Sequence, residues 1–128
     1  MALPNENSAD FNGMEVECEQ LNIGPSTTVT QITNRSTGVT INATSGRITT
    51  DATSLAAGAE ATFVVTNSTV SATSVPVVAL ASGATADTSV AVVTAVAAGS
   101  FSIRLTNLNA ATADTGAAVI NFVVFNGV

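Results

Sequence analysis

The chain predicts an all-β fold: a single antiparallel β-sandwich of jelly-roll type, with about eight strands, behind an extended acidic arm. Three observations carry that expectation. Short runs with apolar side chains at every second residue recur along the body, the period of a strand with one dry face. Turn signals built from Gly, Ser, Thr and Asn separate the runs, and no stretch of about 10–15 residues between them shows a helical period, which argues against βαβ units. Phe is the only aromatic residue, at 4% of the chain, while apolar residues make up 46%. The core must therefore come from Val, Ile, Leu and Ala, as suits a thin layer between sheets.

In chain order, residues 1–25 form the arm and 26–128 the sandwich domain. The arm holds five of the nine acids, with turn formers Pro4, Asn5, Asn7, Asn12 and Gly13. Within it Met14, Glu15, Val16, Glu17, Cys18 and Glu19 alternate strictly, so an extended backbone puts Met14, Val16 and Cys18 on one side and three carboxylates on the other. Three readings stay open. The segment is an edge strand protected by like charge, or a strand that adds to a sheet of another subunit, or a divalent-cation site. Carboxylates at i and i+2 lie about 7 Å apart and do not converge unaided. As a partner-binding element it places Glu15, Val16, Glu17, Cys18 and Glu19 at the contact.

Gly24-Pro25 marks entry into the body. Strand-like runs follow at 27–33, 39–42, 47–50, 60–67, 75–81, 88–96, 100–106 and 117–126, with turn signals such as Ser36-Thr37-Gly38, Thr44-Ser45-Gly46, Ser82-Gly83 and Thr115-Gly116 between them. Residues 53–59 could make one helical turn but read better as a loop. Pro76 sits at the start of its run, where a residue without an N–H is tolerated. The clearest unit is 88–107, in which a β-branched run, the connection Ala97-Ala98-Gly99 and the alternating Phe101, Ile103 and Leu105 predict a hairpin. The last run is apolar on both faces, so it should lie centrally or be covered by another subunit; Ile120, Phe122 and Val124 are the expected oligomer interface. The echo between 40–46 and 77–83 is too weak to be a repeat.

The length is that of one domain with enough core to fold without staples. The net charge is −6, from nine acids against three Arg, with no Lys or His. Nucleic-acid binding lacks its phosphate-neutralising groups. No apolar run approaches the roughly 18 residues of a membrane span, and residues 1–7 lack a basic region followed by an apolar one, so a soluble protein made in the cytoplasm is expected. The single Cys18 cannot form an internal disulfide.

Catalysis is poorly provided for, because a Ser or Cys nucleophile would have only a carboxylate as its base. Cys18 sits among Glu15, Glu17 and Glu19, which disfavour its thiolate. A carboxylate pair would have to come from Asp51, Glu60, Asp87 and Asp114, all in or beside turns. No catalytic residue, cofactor or metal site is expected. The Asn-X-Ser/Thr sequences at Asn34, Asn42 and Asn67 follow from composition. Arg35, Arg47 and Arg104 are each expected to pair with an acid, most simply at the surface.

The runs Thr30-Gln31-Ile32-Thr33-Asn34-Arg35-Ser36-Thr37-Gly38-Val39-Thr40-Ile41-Asn42, Ser45-Gly46-Arg47-Ile48-Thr49-Thr50, Leu55-Ala56-Ala57-Gly58, Phe63-Val64-Val65-Thr66-Asn67-Ser68 and Ser102-Ile103-Arg104-Leu105-Thr106-Asn107 resemble a family of small β-rich virion proteins of tailed bacteriophages, especially aquatic ones. The likeness runs from about residue 27 to the C-terminus and leaves out the acidic arm. It implies a non-enzymatic structural particle protein; the first expectation is a capsid decoration (cement) protein on the capsid surface, bound to the major capsid protein, and the two-sided apolar run 118–125 with the sparse surface charge adds the expectation of a homotrimer. A tail- or head-fibre component that recognises the host surface is the alternative.

Overall fold

The computed structural model describes residues 27–126. Among them the secondary structure is all β: β1 (Thr27–Thr30), β2 (Val39–Thr40), β3 (Ser45–Thr49), β4 (Glu60–Thr66), β5 (Val75–Ser82), β6 (Ser89–Ala97), β7 (Ser100–Asn107) and β8 (Val119–Phe125). They form two four-stranded sheets, the first in the order β1-β3-β8-β5 and the second in the order β2-β4-β7-β6.

From β1 to β6 the chain changes sheet at every connection. A chain that crosses over and back returns to its first sheet running in its original direction. That is why β1 and β3 are parallel neighbours, with Thr28 opposite Arg47, and why β2 and β4 are too, with Val39 opposite Val65. The β6–β7 hairpin breaks the rhythm. It sends β7 between β4 and β6, and β8 between β3 and β5, antiparallel to both neighbours in each case. The sheets are therefore mixed, which corrects the antiparallel expectation. Because β5 and β6 meet at one edge of the sandwich, the order β8-β5-β6-β7 around that edge is a Greek key. The parallel β1 and β2 pairings do not continue it into a jelly roll.

The core lies between the sheets. Ile48, Ile120, Phe122 and Val124 of the first sheet face Phe63, Val65, Phe101 and Ile103 of the second, and the Phe101 and Phe122 rings meet 5.6 Å apart at 57°. Leu55, Ala61, Leu105 and Ala118 form a smaller cluster. The alternation in 100–106 is realised as strict burial of every second residue of β7. At the hairpin, Gly99 has φ 80°, in the region that favours glycine. β8 is central in its sheet, one of the two placements its two-sided apolar run allowed. Edge strands β5 and β6 each carry a register shift, at Leu80/Ser82 and Val93/Ala95, and β5 carries Pro76. Bulges and Pro blunt an open edge against strand pairing.

The first predicted run ends early, at Thr30. The buried Gln31 turns the chain there: its Nε2 donates to Arg35 O (3.1 Å) and Thr37 O (2.7 Å), and its Oε1 accepts from the Asp51 N–H (3.1 Å). The alternation of sheets collects connections 31–38, 50–59, 83–88 and 108–118 at one end of the sandwich. Connections 41–44, 67–74 and 98–99 lie at the other.

Candidate functional site

The four connections at the first end are tied together by two side chains that lie far apart in sequence. Arg35 and Asp114 are both buried, at 4% and 0% exposure, with Nη1 3.6 Å from Oδ2. That separation is a charge contact rather than a hydrogen bond. The guanidinium donates instead to backbone carbonyls: Nε to Thr53, and Nη2 to Asp114 (3.1 Å) and Gly116 (2.7 Å). The carboxylate accepts from the backbone N–H of Thr85 (2.8 Å) and Gly116 (3.0 Å) and from the Ser89 hydroxyl (2.6 Å). Burial pushes the Asp114 carboxyl up, but these hydrogen bonds and the charge of Arg35 outweigh it and hold the group below its ordinary value of 3.8.

A carboxylate held ionised by three donors and a guanidinium is a structural clamp, and a poor proton donor. Its position also explains why glycines flank it. A Cβ on Gly116 would lie 1.9 Å from Gly83 O, and one on Gly83 would lie 2.0 Å from Ala117 O, so the 83–88 and 108–118 connections touch backbone to backbone. An open hollow of about 310 Å³ lies along the chain from Leu80 to Ser89 beside this contact. Its Asp87 adopts φ 58°, a conformation Asp tolerates.

Two asparagines do similar work at the ends of β4 and β7. Asn107 Nδ2 donates to Leu55 O (3.0 Å), Ala56 O (3.1 Å) and Thr112 O (2.9 Å), and its Oδ1 accepts from the Asn109 N–H (3.0 Å). At the opposite end Asn67 Nδ2 donates to Ala43 O (2.7 Å) and its Oδ1 accepts from the Thr69 N–H (2.9 Å). Asn67 is wholly buried, so its Asn-X-Ser/Thr sequence is closed to glycosylation in the folded protein.

The outer face of the first sheet carries exposed apolar side chains next to one another across two strands. Val75 lies opposite Phe125, and Val77 opposite Val123, giving an outward apolar strip across β5 and β8. Val75, Val77 and Phe125 are 58%, 47% and 49% exposed, and a shallow groove of about 220 Å³ runs beside Val77 and Val123. Among the described residues the one charge on this face is Arg47, whose Nε donates to Asn121 Oδ1 at 3.3 Å. Across the molecule, Arg104 pairs with Glu60 at 3.6 Å, half-exposed, as expected of a surface ion pair.

The expected site residues fall differently. Glu15, Val16, Glu17, Cys18 and Glu19 lie outside the described residues. Ile120, Phe122 and Val124, expected at an oligomer interface, point into the layer between the sheets at 0%, 4% and 3% exposure. The alternate residues of the same strand, Val123 and Phe125, face out. The Arg35–Asp114 clamp was not legible, because both residues sit in turn-like sequence and are brought together only by the fold. Among the described residues no group of three or more acids could hold a metal ion. No protein-family model, curated protein or solved structure matches this chain.

Proposed function

We propose that this protein is a virion structural protein of a tailed bacteriophage, a decoration protein on the capsid surface that binds the major capsid protein and copies of itself, as a homotrimer, to stabilise the shell. The observation that carries the reading is the uncharged apolar strip Val75, Val77, Val123 and Phe125 on the outside of a sandwich whose buried ion pair and asparagines are satisfied internally. Neighbouring exposed apolar side chains without charge are suited to contact with another protein. The resemblance of the segments from residue 27 onward to phage virion proteins supplies the kind of partner. The arm carries five of the nine acids and so adds a salt-sensitive contact to a basic site on the shell. The second reading, a tail- or head-fibre component, rests on the same resemblance; the lack of Trp and Tyr gives it little means of stacking on host glycans.

Copy number in purified particles tests the function. Quantitative mass spectrometry should find hundreds of copies per particle, scaling with the capsid lattice. A few copies would make it a fibre component, and absence from particles would overturn both readings.

A further inference from the structure

Each sheet has two edges, and three of the four are guarded. β5 carries Pro76 and a register shift, β6 carries a register shift, and the two meet each other along one side of the sandwich. β2 is only two residues long. β1 is the exception. Its residues Thr27, Thr28, Val29 and Thr30 are all β-branched and uncharged, with no Pro or bulge among them, and among the described residues it has a neighbour, β3, on one side only. An edge of that kind is a template for a further strand. The register says which groups it offers. The Gln31 N–H donates to Thr49 O at the end of the parallel β1–β3 pair. Alternate residues of a strand direct their N–H and C=O to the same side, so Thr27, Val29 and Gln31 bond toward β3, while Thr28 and Thr30 direct theirs away from the sheet.

We propose that β1 pairs antiparallel with β1 of a second copy, joining two first sheets into one continuous sheet about a two-fold axis. A second copy is the occupant because this edge is complementary to itself. With Thr28 opposite Thr30 and Thr30 opposite Thr28, both pairs are of the hydrogen-bonded kind, and every outward N–H and C=O of the two strands finds a partner. Registers displaced by two residues pair only one of the two threonines with β1 itself. The axis then passes between the two copies of Val29, a non-hydrogen-bonded pair with Cα atoms about 4.5 Å apart and half-buried side chains on the same face. The strand holds no charge to repel its copy. Resting on four residues a side, the contact is weak and builds up as concentration rises. It uses none of Val75, Val77, Val123 and Phe125, so it stands apart from the virion reading and links one assembly of this protein to the next as readily as two single chains.

Disulfide trapping in the full-length chain tests the pairing, with Cys18→Ser to remove the native thiol. Val29→Cys is oxidised with diamide at high micromolar protein concentration beside Thr62→Cys, an exposed control on the outer face of the second sheet. The expected result is a covalent pair on a denaturing, non-reducing gel that forms at least ten times faster in Val29→Cys, although random collision favours the more exposed control. Thr28→Pro and Thr30→Pro, added separately, each remove an outward N–H and leave the bonds to β3 in place. Each should bring the Val29→Cys rate down to that of the control, with the β circular dichroism unchanged. Equal rates in Val29→Cys and Thr62→Cys would overturn the proposal. Fast trapping that neither proline slows would overturn it too, because the two copies would then meet at Val29 without the backbone ladder.

Discussion

Arg35 and Asp114, 79 positions apart, meet inside the protein with Nη1 3.6 Å from Oδ2. Through their other bonds they reach Thr53, Thr85, Ser89 and Gly116, so one charge pair fastens all four connections at that end of the sandwich. Leaving either charge buried without the other should cost about 3–5 kcal/mol. Arg35→Met and Asp114→Ala should each lower the unfolding free energy by that much, read from urea unfolding curves. Changing both together should cost less than the sum of the two, read by a double-mutant cycle.

The same pair sets the response to acid. The folded-state pKa of Asp114 is below the ordinary 3.8. Its contribution to stability is therefore fully present above about pH 5 and is lost as pH falls through the unfolded value of about 3.9 toward the folded one. Urea midpoints measured from pH 7 down to pH 2.5 should stay nearly level and then fall below pH 4. In Asp114→Asn that fall should be shallower, from a lower starting stability.

Two glycines with positive φ should respond differently to alanine. Gly99 has open space around its Cα, so Gly99→Ala should cost only the backbone conformation, about 1 kcal/mol. Gly83→Ala adds a collision with Ala117 O at 2.0 Å and should cost more than about 2 kcal/mol. Thermal melts of the two variants side by side decide it, with a difference of several degrees expected.

Asn107 donates to three carbonyls from within the protein. Asn107→Asp keeps the shape, removes the donors and buries a carboxylate against acceptors. Destabilisation at pH 7 should exceed that of Asn107→Ala and should ease toward pH 4, where the acid is protonated. Midpoints at the two pH values test the crossover.

Removing residues 1–25 should leave the β body folded, since all eight strands lie between Thr27 and Phe125. Its far-ultraviolet spectrum should keep the β signature. On the decoration reading, attachment to undecorated capsids should be lost, and attachment of the full-length protein should weaken as salt is raised; cosedimentation measures both.

What the sequence determined by itself was the set of strands and their dry faces. Strand period is a property of the backbone over a few residues, so Phe101, Ile103 and Leu105 announce β7 whatever lies across from them. Gly99 announces its turn for the same local reason, and the two-sided apolar character of 119–125 announces a strand with both faces covered, by a central place or by another subunit. The tertiary structure alone decided which strands become neighbours, since that depends on how many times the chain crosses between sheets; hence the parallel β1 and β2 pairings. It also decided which side of β8 is inside: both of its faces are apolar, and only the position of the second sheet sends Ile120, Phe122 and Val124 inward and leaves Val123 and Phe125 outside. The clamp belongs to the same category. Arg35 and Asp114 read locally as solvated turn residues, and only the convergence of four loops at one end removes the water and makes each charge the other's partner.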